Sequence, residues 1–428
     1  MKLVLALVLV AAAGCRGGGT KPHRGSGAPV QMIDQPVLPD AGGRNGATTS
    51  DEAEPNDTDD VATPLPLGGT VRAKIDSDGD VDRFRIDVDR AGALAVMVNG
   101  VDQDLALEIE DPGGTPLARS DRGGVRVKEG VPNLGVQPGR YIAVVRAVPK
   151  KKPKPARGKK PPAEPPPGPG PVYEITAQLA QPTGNIEREP DDDRGTANDL
   201  ILGDPVTGYV GWAGDADSWK LAIQALAENN AIDVEVSAVE GLALGLEITD
   251  ALGTTLLERK APSGQPLVVR GFVPVVPQGG TPFHYIVVRA DRSNPETSYQ
   301  LRVTAHVVDV DAEREPDDTP EKAFVFPADR KVVHASWTPG DVDCFALPVS
   351  ASARTIDVVA EPTQGDLALS LELLVDGKSA ATAAKAARNA QAKASAKVPP
   401  NARAVIRVKA SESSGEGKYD VTVNESTD

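Results

Sequence analysis

The sequence predicts an all-β protein: three tandem antiparallel β-sandwiches behind a signal peptide and a flexible tether. Three observations predict it. An acidic motif recurs three times. A second acidic motif follows each copy at one fixed distance. Each second motif then opens a run in which apolar residues alternate with polar ones. The first motif is Glu52-Ala-Glu54-Pro-Asn56-Asp57, then Glu187-Arg-Glu189-Pro-Asp191-Asp192, then Glu313-Arg-Glu315-Pro-Asp317-Asp318. The second is Gly79-Asp80-Val-Asp82-Arg-Phe84, then Gly214-Asp215-Ala-Asp217-Ser-Trp219, then Gly340-Asp341-Val-Asp343-Cys-Phe345. Glu54 to Asp80, Glu189 to Asp215 and Glu315 to Asp341 are each 26 residues. Self-similarity at a fixed offset marks a repeated structural unit.

Composition agrees. At roughly 150 residues per domain, the 428 residues make about three domains. Sixty-one acidic residues against 46 basic ones leave a formal charge of −15, which argues against nucleic acid as a partner, since phosphate binding needs a cationic face. Hydrophobic residues make up 40%, enough for folded cores. With 42 Gly and 38 Pro but only six Tyr, six Phe and three Trp, the chain reads as small turn-rich modules.

Taken in order, residues 1–14 read as a lipoprotein signal peptide. A basic start precedes the apolar run 3–13, too short to span a bilayer, which takes about 20 residues. The run ends in Ala12-Ala13-Gly14-Cys15, which resembles a bacterial lipobox. That resemblance implies cleavage after Gly14 and a lipid on Cys15, hence an exported, membrane-anchored protein in the cell envelope. Arg16 leans the sorting toward the outer membrane. Residues 15–50 show neither the strand period of 2 nor the helix period of 3.6 and read as the tether.

The three sandwiches are expected at 51–181, 182–308 and 309–428. Phe84, Ile86 and Val88 alternate with Arg85 and Asp87, as Trp219, Leu221, Ile223 and Phe345, Leu347, Val349 do in the later units; period two with one apolar face is a half-buried strand. Leu105–Ile109, Leu244–Ile248 and Leu369–Leu373 supply a further strand, each leading into an Asp/Gly turn. Two strands close each unit, the last opening at Tyr173, Tyr299 or Tyr419. Many short strands with frequent turns make a sandwich. Two stretches depart from this. Residues 149–171, rich in Lys and Pro, read as a solvated loop, either a spacer or a binder of anionic surfaces. Residues 378–397, rich in Ala and Lys, favour a surface helix or frayed loop.

The repeated Glu-x-Glu-Pro-Asn/Asp-Asp, Gly-Asp-x-Asp-x-aromatic, Asp-x-x-Gly and Gly-x-Tyr elements resemble the bacterial pre-peptidase C-terminal domain, and are similar to the collagen-binding domains of clostridial collagenases. The third unit departs from the pattern with Ala402-Arg403-Ala404 before its penultimate strand. The resemblance implies a jelly-roll-like sandwich that is not itself catalytic. It also implies calcium at Glu52, Glu54, Asn56, Asp57, Asp80 and Asp82, and at the equivalents in the other two units.

The residues themselves permit the same chemistry. On an extended segment Glu52, Glu54 and Asn56 project to one side. If Asp80 and Asp82 come alongside, the like charges need a cation, and oxygen ligands without His or thiolate suit calcium. The alternative is turn chemistry alone. Catalytic patterns are absent: no HExxH and no G-x-S-x-G occurs, and the four His stand without a matching nucleophile context. Cys344 reads as a small apolar strand residue. The expected function is therefore a non-catalytic, lipid-anchored binding or spacer array, stabilised by calcium as a structural ion, with an extracellular protein or polysaccharide as ligand. The alternatives are an accessory component of an exported protease system and a solute-binding lipoprotein.

Overall fold

The computed structural model describes residues 48–427, apart from 78, 100–101, 150–169, 225, 228–229, 276–281, 384–385 and 412–413. The signal peptide, Cys15, the tether up to residue 47 and nearly all of the Lys/Pro-rich loop lie outside the described residues. Among the described residues there is one 3-10 turn, Asp59–Val61, and no helix long and apolar enough to cross a membrane. The chain is all-β.

Six sheets form three sandwiches. The eight main strands of the first are Thr70–Ala73, Val81–Val88, Gly92–Asn99, Leu105–Glu110, Pro116–Ser120, Glu129–Val136, Gly139–Ala147 and Tyr173–Ala180. One sheet runs first-eighth-third-sixth, the other second-seventh-fourth-fifth. The second sandwich repeats this order with Val206–Gly208, Ala216–Ala222, Asn230–Val236, Leu244–Asp250, Thr255–Lys260, Leu267–Phe272, Phe283–Ala290 and Tyr299–Val307. The third does so with Val332–Trp337, Asp343–Ala346, Arg354–Gln364, Leu369–Val375, Lys378–Ala383, Ala392–Val398, Ala404–Ala410 and Gly417–Thr427. Eight strands in two sheets in this order are a jelly roll. Each sandwich encloses one apolar core drawn from both sheets, with Phe84, Trp219 and Phe345 at equivalent fully buried places.

Strand phase follows the alternation in the sequence, except at the end of the third unit's run, where the strand stops at Ala346 and Val349, expected on the apolar face, lies beyond it and exposed. In Val81–Val88 the inward row is Asp82, Phe84, Ile86 and Val88. Asp82 therefore stands in line with the core, as do Asp217 beside Trp219 and Asp343 beside Phe345, and all three are fully buried.

The Ala/Lys-rich stretch corrects the helix-or-loop expectation. Its described residues form the strands Lys378–Ala383 and Ala392–Val398. In the second of these, Ala392, Ala394 and Val398 face the core, with Lys393, Ser395 and Lys397 outside. The strand pairs residue for residue with Arg354–Ala360. Helix propensity is worth only tenths of a kcal/mol per residue, so a ready-made sheet edge over an apolar floor outweighs it.

The junctions between sandwiches are built alike. The acidic segment that opens each new sandwich docks on the sixth strand of the one before. Gly135 N–H donates to Glu189 O (2.6 Å) and Glu189 N–H to Asn133 O (3.2 Å). Val273 N–H donates to Glu315 O and Glu315 N–H to Gly271 O, both 3.1 Å.

Candidate metal centres

Two features of the fold bring the acidic motifs together. After the first motif the chain forms a short strand (Thr63–Pro64, Asn198–Leu200 or Phe324–Val325) that pairs in parallel with the strand opened by the second motif. The pairs Thr63 with Phe84, Asn198 with Trp219 and Phe324 with Phe345 set the same register three times. Before it, the first Glu of each motif is tied to the first strand of its own sandwich through Glu52 N–H to Arg72 O, Glu187 N–H to Thr207 O and Glu313 N–H to His334 O, all 2.9 Å.

The carboxylates are held in repeated ways. The first Glu accepts a backbone N–H from beyond its own motif: Lys74 onto Glu52 Oε1 (2.8 Å), Tyr209 onto Glu187 Oε1 (2.6 Å), Ser336 onto Glu313 Oε1 (2.6 Å). The second Glu accepts the N–H two residues on: Asn56 onto Glu54 Oε2 (3.1 Å), Asp191 onto Glu189 Oε2 (2.8 Å), Asp317 onto Glu315 Oε2 (3.1 Å). A Pro with a cis peptide bond follows this Glu in all three motifs. Val81 N–H donates to Asp57 Oδ1 and Ala216 N–H to Asp192 Oδ1, both 3.2 Å. Asp80 Oδ2 accepts the N–H of Asp76.

Carboxylate oxygens of Glu52, Glu54 and Asp82 lie within 4.8 Å of one another; so do those of Glu187, Glu189 and Asp217, and those of Glu315, Asp341 and Asp343. The two motifs of each unit thus meet at one place. Exposure differs between the units. In the first, Glu54 and Asp57 are exposed. In the second, Glu187, Glu189, Asp191, Asp215 and Asp217 are each at most 1% exposed.

The second site poses the electrostatic problem most sharply. Its partners are neutral: Tyr209 and Gly211 N–H, the Asn198 amide onto Asp191 Oδ2 (2.5 Å), and Asn133 of the first sandwich onto Glu187 Oε1 (2.6 Å). Glu189 Oε1, Asp191 Oδ1, Asp215 Oδ1 and both oxygens of Asp217 are buried without a hydrogen-bond partner. Similar orphans occur at the other sites: Asn56 Oδ1 and Asp82 Oδ1 in the first, and Glu313 Oε2, Asp343 Oδ1 and both oxygens of Asp317 in the third. A buried carboxylate with no cation costs several kcal/mol and escapes by taking up a proton. Burial accordingly pushes the Glu52 carboxyl up to about 7 and Asp82 up to about 8. Burial, reinforced by neighbouring carboxylates, drives Glu187 and Asp217 well above the usual range, and Glu313, Asp317 and Asp343 likewise. Several oxygen donors with no nitrogen or sulfur among them fit a hard divalent ion better than a transition metal.

No protein-family model matches the chain, and no curated protein matches it. Among solved structures it is similar to the pre-peptidase C-terminal domain of a collagenase from Bacillus anthracis, at 14% identity and a TM-score of 0.20, over 27% of this chain and 94% of that one. It is also similar to the PBSX exported protein XepA, at 12% identity and a TM-score of 0.18, over 50% of this chain and 82% of that one.

Three kinds of site residue escaped the motif reading. Tyr173 and Tyr419 donate their hydroxyls to Asp82 and Asp343, while Tyr299 lies 3.5 Å from Glu187 and accepts the Trp219 indole N–H at 2.9 Å. The sequence carries a signal for them: a Tyr stands within the first three residues of the last strand of every unit. Gly208 leaves the space that Glu187 and the Tyr299 hydroxyl occupy, since a Cβ there would collide with both. Asn133 and Arg259 come from the preceding sandwich, and nothing in their own surroundings marks them as site residues. Cys344 lies in the strand Asp343–Ala346, and burial pushes its thiol up to about 11, so it is not a reactive thiolate.

Proposed function

We propose that the protein is a non-catalytic, lipid-anchored component of the cell envelope. Its three sandwiches form a binding or spacer array whose acidic sites take calcium as a structural ion. The observation that supports this most directly is the second site, where five fully buried carboxylates have only neutral partners and four of them, Glu189, Asp191, Asp215 and Asp217, carry orphaned oxygens. Such a set is tolerable when protonated or when a cation is present, and outside the cell calcium is the abundant oxygen-seeking ion. Glu187, Glu189, Asp191, Asp215 and Asp217 would hold it in the second sandwich, with Glu52, Glu54, Asn56, Asp80 and Asp82 their counterparts in the first. Extracellular modules bind calcium at about 10⁻⁴–10⁻³ M, which suits a resident structural ion and not a signal. Because the second and third sites lie where one sandwich docks on the last, an ion there would stiffen the array.

The test is a melting curve. At 5 mM free calcium and pH 7.5, the midpoint is expected to rise by about 5 °C or more over that in EDTA, since a ligand well above its dissociation constant adds RT ln(1 + [L]/Kd) to the folded state. An unchanged midpoint would remove calcium from the proposal. The anchor is tested apart from it. Expressed in a bacterium with a lipoprotein pathway, the full chain should partition with membranes and Cys15→Ser should be released to the soluble fraction; equal partitioning of the two would reject lipidation. A ligand would be a protein fibre or a polysaccharide outside the cell. The solute-binding alternative needs two α/β lobes, and the described residues build none. An accessory role beside an exported protease would show as co-purification of that enzyme.

A further inference from the structure

The three acidic sites are not chemically equal. In the second sandwich the outer oxygens, Glu189 Oε1 and Asp215 Oδ1, are buried and have no partner. Their equivalents in the third, Glu315 Oε1 and Asp341 Oδ1, both accept from Arg259 Nη2, the latter at 2.6 Å, while Arg259 Nη1 donates to Asp318 Oδ1 at 2.5 Å. Arg259 belongs to the second sandwich, on its fifth strand, and its side chain is 2% exposed. The guanidinium has left its own domain and sits dehydrated among three carboxylates of the next.

Register identifies what stands at this place elsewhere. Arg259 pairs with Leu246, Ser120 with Leu107 and Ala383 with Leu371, at equivalent points of the three sandwiches. Ser120 turns its hydroxyl onto Glu129 of its own sandwich, 2.6 Å away, and not toward the second site. Ala383 belongs to the last sandwich in the sequence. The residue that reaches the inner Glu also changes. At the first junction Asn133 donates to Glu187, and at the second Gly271 stands in that place. Inner oxygens of the third site, on Glu313, Asp317 and Asp343, remain orphaned, as those of Asp191 and Asp217 do in the second.

We propose that Arg259 is the built-in cation of the third acidic site: it takes the outer position that a metal ion occupies in the second, so the third sandwich binds one ion fewer and its junction is latched by the chain itself. The ion count rests on the calcium reading above; the latch does not. A guanidinium can replace a divalent ion here because its planar fork matches carboxylates in pairs and it stays charged at any physiological pH. Its position is fixed by a strand, so it also orients one sandwich on the other, which a diffusible ion cannot do. Arg270 of the same sandwich adds a second crossing contact, Nε to Glu416 Oε1 at 2.7 Å.

The experiment uses the full chain and its Arg259→Ser variant, which installs the residue found at the first junction. Calcium bound at saturation is counted by equilibrium dialysis, and limited proteolysis of the connection at 308–312 is followed in EDTA and in calcium. The variant is expected to bind one equivalent more than the wild type. Its connection should be cut in EDTA and protected by calcium, while the wild type resists in both. Equal ion counts in two calcium-binding proteins overturn the substitution. Should neither bind calcium, the metal reading fails and proteolysis in EDTA alone decides the latch: faster cleavage of the variant supports it, and equal cleavage overturns it. If Arg259→Ser does not fold, a wild-type crystal grown in calcium serves instead. Arg259 on Glu315 and Asp341, with an ion between Glu189 and Asp215, supports the proposal; an ion between Glu315 and Asp341 with Arg259 displaced overturns it.

Discussion

In EDTA the protein is expected to lose thermal stability as the pH climbs from 5 to 9, and saturating calcium should abolish the loss. Most single domains of this size do the reverse at the acid end, because their paired carboxylates must be protonated. Here the buried acids are raised, Glu52 to about 7 and Asp82 to about 8, chiefly by burial. Unfolded, the same groups ionise near pH 4. Between these limits the folded state holds protons that the unfolded chain has released, so unfolding gains as protons become scarce. The stabilisation is complete below the ordinary carboxylate range and disappears as pH rises through the raised values. A tenfold difference in proton affinity between folded and unfolded states is worth about 1.4 kcal/mol. The groups in one site share protons, so their contributions do not add; a net loss of about 3 kcal/mol per sandwich lowers the midpoint by about 10 °C or more. Calcium inverts the sign, since it binds the ionised set, and its stabilising effect should grow over the same pH window. A midpoint in EDTA that stays flat from pH 5 to 9 would show that the acidic clusters are hydrated and of no thermodynamic consequence.

Asp217→Asn should reorder the stabilities of mutant and wild type according to the metal. Asp217 is fully buried in the core-facing row of its strand, and both its oxygens lack a hydrogen-bond partner. Without metal at pH 8, folding must either bury an Asp217 charge that the core cannot solvate or draw a proton onto it, and an amide avoids that cost, which is worth a few kcal/mol. The variant should therefore melt higher than the wild type in EDTA. In calcium it should melt lower, because an anionic ligand has become a neutral amide. Calorimetry of both proteins in both buffers makes the comparison, and the second sandwich is where the change should fall. A variant less stable than the wild type in both buffers would mean that Asp217 serves packing alone.

Much of this is legible in the sequence. The offset between the two acidic motifs, repeated three times, counts the modules, and the alternation after Phe84, Trp219 and Phe345 sets which face of the second strand is buried. The same alternation, carried back by two residues, places Asp82, Asp217 and Asp343 on the core side; an acid in phase with a core row is a stronger sign of a site than an acidic run in a loop. The Ala/Lys-rich stretch misleads because propensity is local and weak, while the strand Arg354–Gln364 offers an edge that only the folded sandwich possesses.

The sequence by itself determined the class of structure, the number of repeats, and which acids would gather, since period and spacing are properties of one chain segment read against itself. The tertiary structure alone decided how each gathering is neutralised. Whether a pocket of carboxylates meets Asn133, the Arg259 guanidinium or open solvent depends on which face of the preceding sandwich lies over it. That is a matter of three-dimensional docking between residues 54 to 82 positions apart, and Coulomb energy depends on distance in space and on water exclusion, neither of which a linear spacing encodes.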